Sequence, residues 1–463
     1  MQGVLVGHNR GWRRLIPDER PQRPVVGLTV SIMELQARDR YLDLLRGASI
    51  VAVVVGHWLV ADLSYADGQL ALRSSLAEVP PMWPLTWVFQ VIPVFFFVAG
   101  AVNGPSWQRC QSRGDGYAAF VIRRIHRVLI PTLVAVTVIA LVSALLQATG
   151  GGGVAGGGAM LLQPLWFLAV YLALMALTPW TWAAFQRWGT WLFVGLLVVI
   201  VAADFGRIGL EREMSGYVNV VAIWLFVYGL GFAFAQGWLT RQRAVGLAAV
   251  GAVSLVLLVT VGPYPTRMVG IPGDRLSNMH PPTLAVLALA LAQIGVLVWL
   301  RPYVSPWLER PKVWFCVVWL NLSIMTLYLW HEFAMVSATR LLLSMGWPQP
   351  DPGTGSWWLM RLVWVVVAGA ALLGLVLVFG RFERLAPPTA PAPSTKANVT
   401  AITMVVLLFA GLLGLAGTRV TEIAEIQHPM GVPLSPVMAL GLIWAAAGLL
   451  RASRRLSPEA VRA

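Results

Sequence analysis

Cysteine is nearly absent: the 463 residues contain two, Cys110 and Cys316, far apart and outside any CxxC or Cys/His spacing. That excludes a disulfide framework and a thiolate zinc site. Lysine is as scarce, with Lys312 and Lys396 the two among 34 basic residues. Charged residues are 12% of the chain, and no polar stretch is long enough to fold into a reader of nucleic acid. The basic excess is therefore read as a topological signal. The run Gly150–Gly158 lacks a following Gly-Lys-Ser/Thr and any preceding strand, so it is read as a flexible loop and not a phosphate cradle.

What the chain has instead is apolar sequence, 58% of it, in repeated runs of about twenty residues that match a hydrocarbon core. Lipid cannot satisfy backbone N–H and C=O groups, and these runs lack the short alternation of barrel strands. The fold class is an all-α, polytopic membrane bundle. Spans are expected near 44–62, 84–103, 128–147, 161–180, 190–203, 217–236, 243–262, 282–300, 316–344, 357–379, 400–417 and 435–450, arranged as ten plus two.

The boundaries follow from composition. Residues 1–37 read as a cytoplasmic tail, over-extended if the chain starts at Met33. Residues 38–385 form the ten-helix unit, 386–398 a proline-rich linker, and 399–463 two accessory helices with a basic cytoplasmic tail. Loop 104–127 carries a net +4 and loop 62–83 a net −2, which puts the basic loops and both termini in the cytoplasm of a cell-membrane protein.

Two polar residues stand out in the first span. Arg46 and His57 are eleven residues apart, hence on one helical face and about 16 Å apart along the axis. An imidazole at membrane depth is costly and faces the bundle interior, satisfied by a neighbour or at work. Arg123, Arg124 and Arg127 are spaced three and four apart on the basic approach to the third span, able to converge on an anion. Tyr328 and His331 share a face of the ninth span, with Glu332 beside them, and Trp166 opens the fourth. Asp43 suits a helix cap, and His8, His126, His280 and His428 are given no catalytic role. The turn-rich segment 264–282, with Arg267, Asp274, Arg275 and Asn278, reads equally as an acceptor entrance or an ordered connection.

Several motifs occur together: Tyr41-Leu-Asp-Leu-Leu-Arg-Gly47 running into Arg46 and His57, Pro93-Val-Phe-Phe-Phe-Val-Ala-Gly100, Arg123-Arg-Ile-His-Arg127 before Pro131, Pro164-Leu-Trp-Phe-Leu168 and Tyr328-Leu-Trp-His331. In this order and spacing the chain resembles the acyltransferase-3 family across about 38–385. It departs from the family at Ala99, where a serine is usual, so no hydroxyl role carries over. The resemblance implies transfer of an acyl group, commonly acetyl, from cytoplasmic acyl-CoA to a hydroxyl of a sugar, lipid-linked glycan or secondary metabolite. It implies acyl-CoA bound at Arg123, Arg124 and Arg127, and Arg46 and His57 in catalysis, with His57 as general base or, alternatively, as acyl carrier. Trp166 would then face the acceptor, and Tyr328 and His331, with Glu332 beside them, would orient the acceptor or His57, a structural polar cluster being an equal reading. No resident cofactor or metal and no nucleic-acid partner are expected; membrane lipids are. The arginine-rich, Ala/Val/Gly-rich composition fits a GC-rich bacterial genome. The alternative is a proton-coupled transporter or flippase with Arg46 and His57 lining the path, although no inverted repeat supports it.

Overall fold

The computed structural model describes residues 39–66, 69–149, 158–271, 273–386, 389 and 391–453. The N-terminal tail through residue 38, most of the glycine run (150–157) and the basic tail from 454 lie outside the described residues. Fourteen longer helices carry the fold: α1 (Arg40–Val60), α2 (Ile92–Ser112), α3 (Tyr117–Ala148), α4 (Leu165–Ala176), α5 (Thr178–Trp188), α6 (Thr190–Asp204), α7 (Val218–Ala235), α8 (Arg241–Thr260), α9 (Leu284–Val304), α10 (Pro311–Leu322), α11 (Ile324–Ser344), α12 (Gly355–Glu383), α13 (Thr395–Ala416) and α14 (Pro436–Ser453). Among the described residues, ten helices are long and apolar enough to cross a membrane, and two bent pairs qualify when taken together. The protein is a multi-pass, all-α membrane protein.

The bent pairs are where straight spans were expected at 161–180 and 316–344. The first bends by 60° between α4 and α5, where Pro179, second in α5, offers no N–H and crowds the preceding turn. The second bends by 68° between α10 and α11 at Ser323. The α11 N–H groups freed by this break are taken by Glu383, whose carboxylate accepts from Met325 N, Thr326 N and Thr326 Oγ1 at 2.9–3.0 Å. An anion at a helix start also opposes the helix dipole favourably.

One small departure from all-helix follows α1, where strands β1 (Ala61–Ala66) and β2 (Gln69–Ser74) pair antiparallel with Ala61 opposite Ser74. Helix contacts elsewhere rely on small residues. A Cβ on Gly100 would stand 2.0 Å from the Tyr228 carbonyl oxygen, and one on Gly231 2.2 Å from that of Phe97, so α2 and α7 meet backbone to backbone. α1 is tied in by long side chains: Tyr41 Oη donates to the Leu297 carbonyl at 2.5 Å, and Asn321 Nδ2 to the Asp43 carbonyl at 2.8 Å.

The last two helices are not remote from the ten-helix unit. α13 buries Ala397, Ala401, Met404, Leu408 and Leu412 and packs along α14, α4 and α3, while Asn398 Oδ1 accepts the Ala118 N–H at the start of α3. A chain ending at Pro391 is expected to insert, since lipid replaces an apolar neighbour at little cost, and to retain acyl transfer while melting at a lower temperature. Melting and transfer assays of the truncation in detergent check this. Loss of transfer in a folded truncation would place part of the site in α13 and α14.

Candidate functional site

His57 lies in the last turn of α1, a helix of 21 residues that also holds Arg46 near its start. The shared face is realised: Arg46 stands within electrostatic reach of Glu383, and His57 Nδ1 hydrogen-bonds Glu332 Oε1 of α11. A carboxylate only accepts, so Nδ1 carries the proton, and in the neutral ring the lone pair falls on Nε2. The Glu332 side chain is 2% exposed and that of His57 42%, so the carboxylate is sealed while the imidazole keeps an open edge.

His331 completes the cluster. Its Nδ1–H donates to the Tyr328 carbonyl at 2.6 Å, its Nε2 lies 3.3 Å from Glu332 Oε1, and its ring centroid is 5.1 Å from that of His57. Glu332 Oε2 is buried without a hydrogen-bond partner among the described residues. Glu332 is among the residues lining a narrow, mainly aliphatic recess with Ala135, Ile139, Leu161, Leu165 and Tyr328. Donor atoms of His57, His331 and Glu332 fall within 4.8 Å of one another, a set able to hold a metal ion by ligand type. His57 Nδ1 and Glu332 Oε1 are in direct hydrogen-bond contact.

From this cluster a series of rings leads along α4. Tyr328 is 6.0 Å from His331 and 5.7 Å from Phe167, Phe167 is 6.4 Å from Trp166, and Trp166 is 6.0 Å from His280. Tyr328 Oη also donates to the Pro164 carbonyl, which fixes the start of α4 beside α11. Trp166 is thus linked to the cluster only through Phe167 and Tyr328, while His280, given no role from sequence, is its neighbour.

The segment before α9 is an ordered connection rather than a set of free contacts. Arg267 pairs with Asp274, exposed Arg275 lies 3.5 Å from Glu211, and buried Asn278 donates to the Pro265 and Arg267 carbonyls. Buried Arg207 donates to the Ser277, His280 and Pro281 carbonyls at 3.1–3.4 Å, and Asp204 accepts from Tyr264, Asn219 and the Leu284 N–H. Burial raises the Tyr264 pKa, with Asp204 adding to the shift, and burial lowers that of His280.

The three arginines of α3 are separate from this cluster. Arg123 pairs with Asp115 and donates to the Ala119 carbonyl at 3.1 Å. Arg124 lies 3.8 Å over the Phe120 ring and reaches α2, donating to Asn103 Oδ1 at 3.0 Å and Ser106 Oγ at 2.6 Å. Arg127 is exposed. Arg123 and Arg124 are thus held by different partners at one end of the helix.

A family model described as an acyltransferase domain matches residues 39–381. The chain belongs to the acyltransferase-3 family. No curated protein matches it, and no solved structure does. As a membrane acyltransferase, the protein does not favour the transporter reading. Within this acyltransferase, sequence reasoning missed Glu383, Arg207 with Asp204, and Arg361. The signal available for Arg361 was its charge inside an apolar run, which is costly unless paired.

Proposed function

We propose that this membrane acyltransferase moves an acyl group, acetyl foremost, from acyl-CoA to a hydroxyl of a sugar, lipid-linked glycan or secondary metabolite. The observation that carries this reading is His57 held by sealed Glu332 with its second ring nitrogen left for an acceptor. His57 Nε2 takes the hydroxyl proton as that oxygen attacks the thioester carbonyl. The C–O bond forms, the C–S bond breaks, and the proton passes from the imidazolium to the departing CoA thiolate. Glu332 stabilises the imidazolium and holds the tautomer, while Trp166, Tyr328 and His331 shape the acceptor side. Incubating purified protein with isotopically labelled acetyl-CoA and cell-envelope extract tests this. A labelled ester with stoichiometric CoA release is expected; CoA binding with no labelled product contradicts it.

Arg123, Arg124 and Arg127 supply guanidinium forks for the CoA phosphates, and Arg46 the positive charge on the way to His57. Charge-assisted hydrogen bonds contribute about 1.5–3 kcal/mol each, so Arg127→Ala is expected to weaken acyl-CoA binding about tenfold and Arg124→Ala/Arg127→Ala further. Arg124 also holds Asn103 and Ser106, so titrations of the double variant are paired with melting curves. Unchanged affinity would reduce these residues to topology signals.

The basic end would face the cytoplasm of the cell membrane, with both termini there. Cys110 is buried and Cys316 exposed, so the reporter background is Cys110→Ser/Cys316→Ser. In it, exposed Arg275→Cys is expected to react with an impermeant thiol reagent in intact cells, and exposed Gln111→Cys only after permeabilisation. The opposite pattern would invert the orientation.

A further inference from the structure

α1 ends at Val60, and the carbonyls of its last turn have no intrahelical donors. His57 sits in that turn, so the hydrogen bond to Glu332 is only as fixed as the turn itself. One donor, to the Leu59 carbonyl, and several to the residues just beyond the helix come from another helix. Arg361 of α12, 7% exposed, donates through NH2 to the Leu59 carbonyl at 3.3 Å, to the Ala61 carbonyl, and to Ser75 Oγ at 2.9 Å, while NH1 lies 3.4 Å from Asp62 Oδ1. Its guanidinium is also flanked by two indoles, 4.9 Å from the Trp357 centroid and 4.8 Å from that of Trp364. A planar cation that stacks and forks suits this place as an ammonium does not, and positive charge is favourable at a helix C-terminus.

The same contacts lead back to the cluster. Trp364 packs edge-on at 6.3 Å from Trp58, the neighbour of His57, and donates to Thr339 Oγ1 of α11 at 2.8 Å. Trp58 Nε1 donates to the His331 carbonyl at 3.1 Å. Arg361 and Trp364 therefore tie the end of α1 to the helix that presents Glu332.

We propose that Arg361 is a positioning residue for acyl transfer: it closes the last turn of α1 and thereby holds His57 in register with Glu332. The proposal rests on the reading of His57 and Glu332 as the reacting pair. Freed of Arg361, the turn frays and the imidazole spends less time in its productive orientation, with the donor site on α3 untouched.

A double-mutant cycle on the full-length protein tests this, with Arg361→Gln and Glu332→Gln made singly and together and kcat, acyl-CoA KM and melting recorded for each. Arg361→Gln is expected to lower kcat about tenfold with KM within about twofold, and to cost less than about twofold in the Glu332→Gln background, because both changes release the same ring. Arg361→Lys, which keeps the cation without the fork, is expected to fall between. Equal factors in both backgrounds would make Arg361 a purely structural residue and overturn the proposal, as would a parental kcat. Should Arg361→Gln unfold, Arg361→Lys carries the same cycle, with a smaller loss of kcat expected and the same requirement that the loss shrink in the Glu332→Gln background. An impaired Glu332→Gln without coupling removes only the Arg361 role, whereas a Glu332→Gln of parental rate overturns the reacting pair and this role with it.

Discussion

Replacing Glu332 with glutamine is expected to slow acyl transfer by about 10²–10⁴-fold and to leave acyl-CoA binding within about twofold of the parent. The carboxylate does two things that an amide does not. As an acceptor only, it obliges His57 to keep its proton on Nδ1 and its lone pair on Nε2; an amide turned to donate would reverse that tautomer. As an anion, it stabilises the imidazolium formed when the acceptor hydroxyl loses its proton, and in a water-poor site that interaction is weakly screened. The change is nearly isosteric, and Glu332 is sealed beneath His57 and His331, so packing is expected to survive. Equal melting temperatures for parent and variant, with acyl-CoA titrations superimposed, separate a chemical loss from a folding one. A folded Glu332→Gln protein with parental turnover would remove Glu332 from the chemistry.

Much of the architecture was legible in the sequence because a bilayer leaves few options: runs of about twenty apolar residues without alternation have to be helices. The bends were less visible. Hydropathy integrates over a window and does not register a 60° turn at Pro179 or a 68° turn at Ser323. The second depends on Glu383, 57 residues beyond Thr326 in the chain, to cap the new helix start. The strand pair after α1 had a local signal in Asp67-Gly68, a two-residue hairpin sequence flanked by short segments, which a reading tuned to membrane spans passes over.

For the site, helical periodicity was enough to put Arg46 and His57 on one face, and it placed Tyr328, His331 and Glu332 close together. It offered that group as orienting either the acceptor or His57 without deciding between them, because the contact of Glu332 with His57 spans 275 residues and depends on how α1 lies against α11. Nor did spacing show that Arg123 and Arg124 are already held by Asp115, Asn103 and Ser106. Side chains three and four apart can converge, but partners on α2 draw Arg124 aside. The segment around Arg267 and Asn278 was read evenly between entrance and connection, and its internal hydrogen bonds favour the connection.

His57→Ala tests the central claim most directly, measured as the single-turnover rate at which purified protein passes a labelled acetyl group from acetyl-CoA to an envelope acceptor. The imidazole is the group placed to take the acceptor proton, and loss of a positioned base costs about 10²–10⁴-fold in rate. Its removal leaves Arg124 and Arg127 on α3 in place, so labelled acetyl-CoA is expected to bind as before while transfer falls by that factor. A folded His57→Ala protein that binds acetyl-CoA and transfers the label at the parental rate would contradict the account.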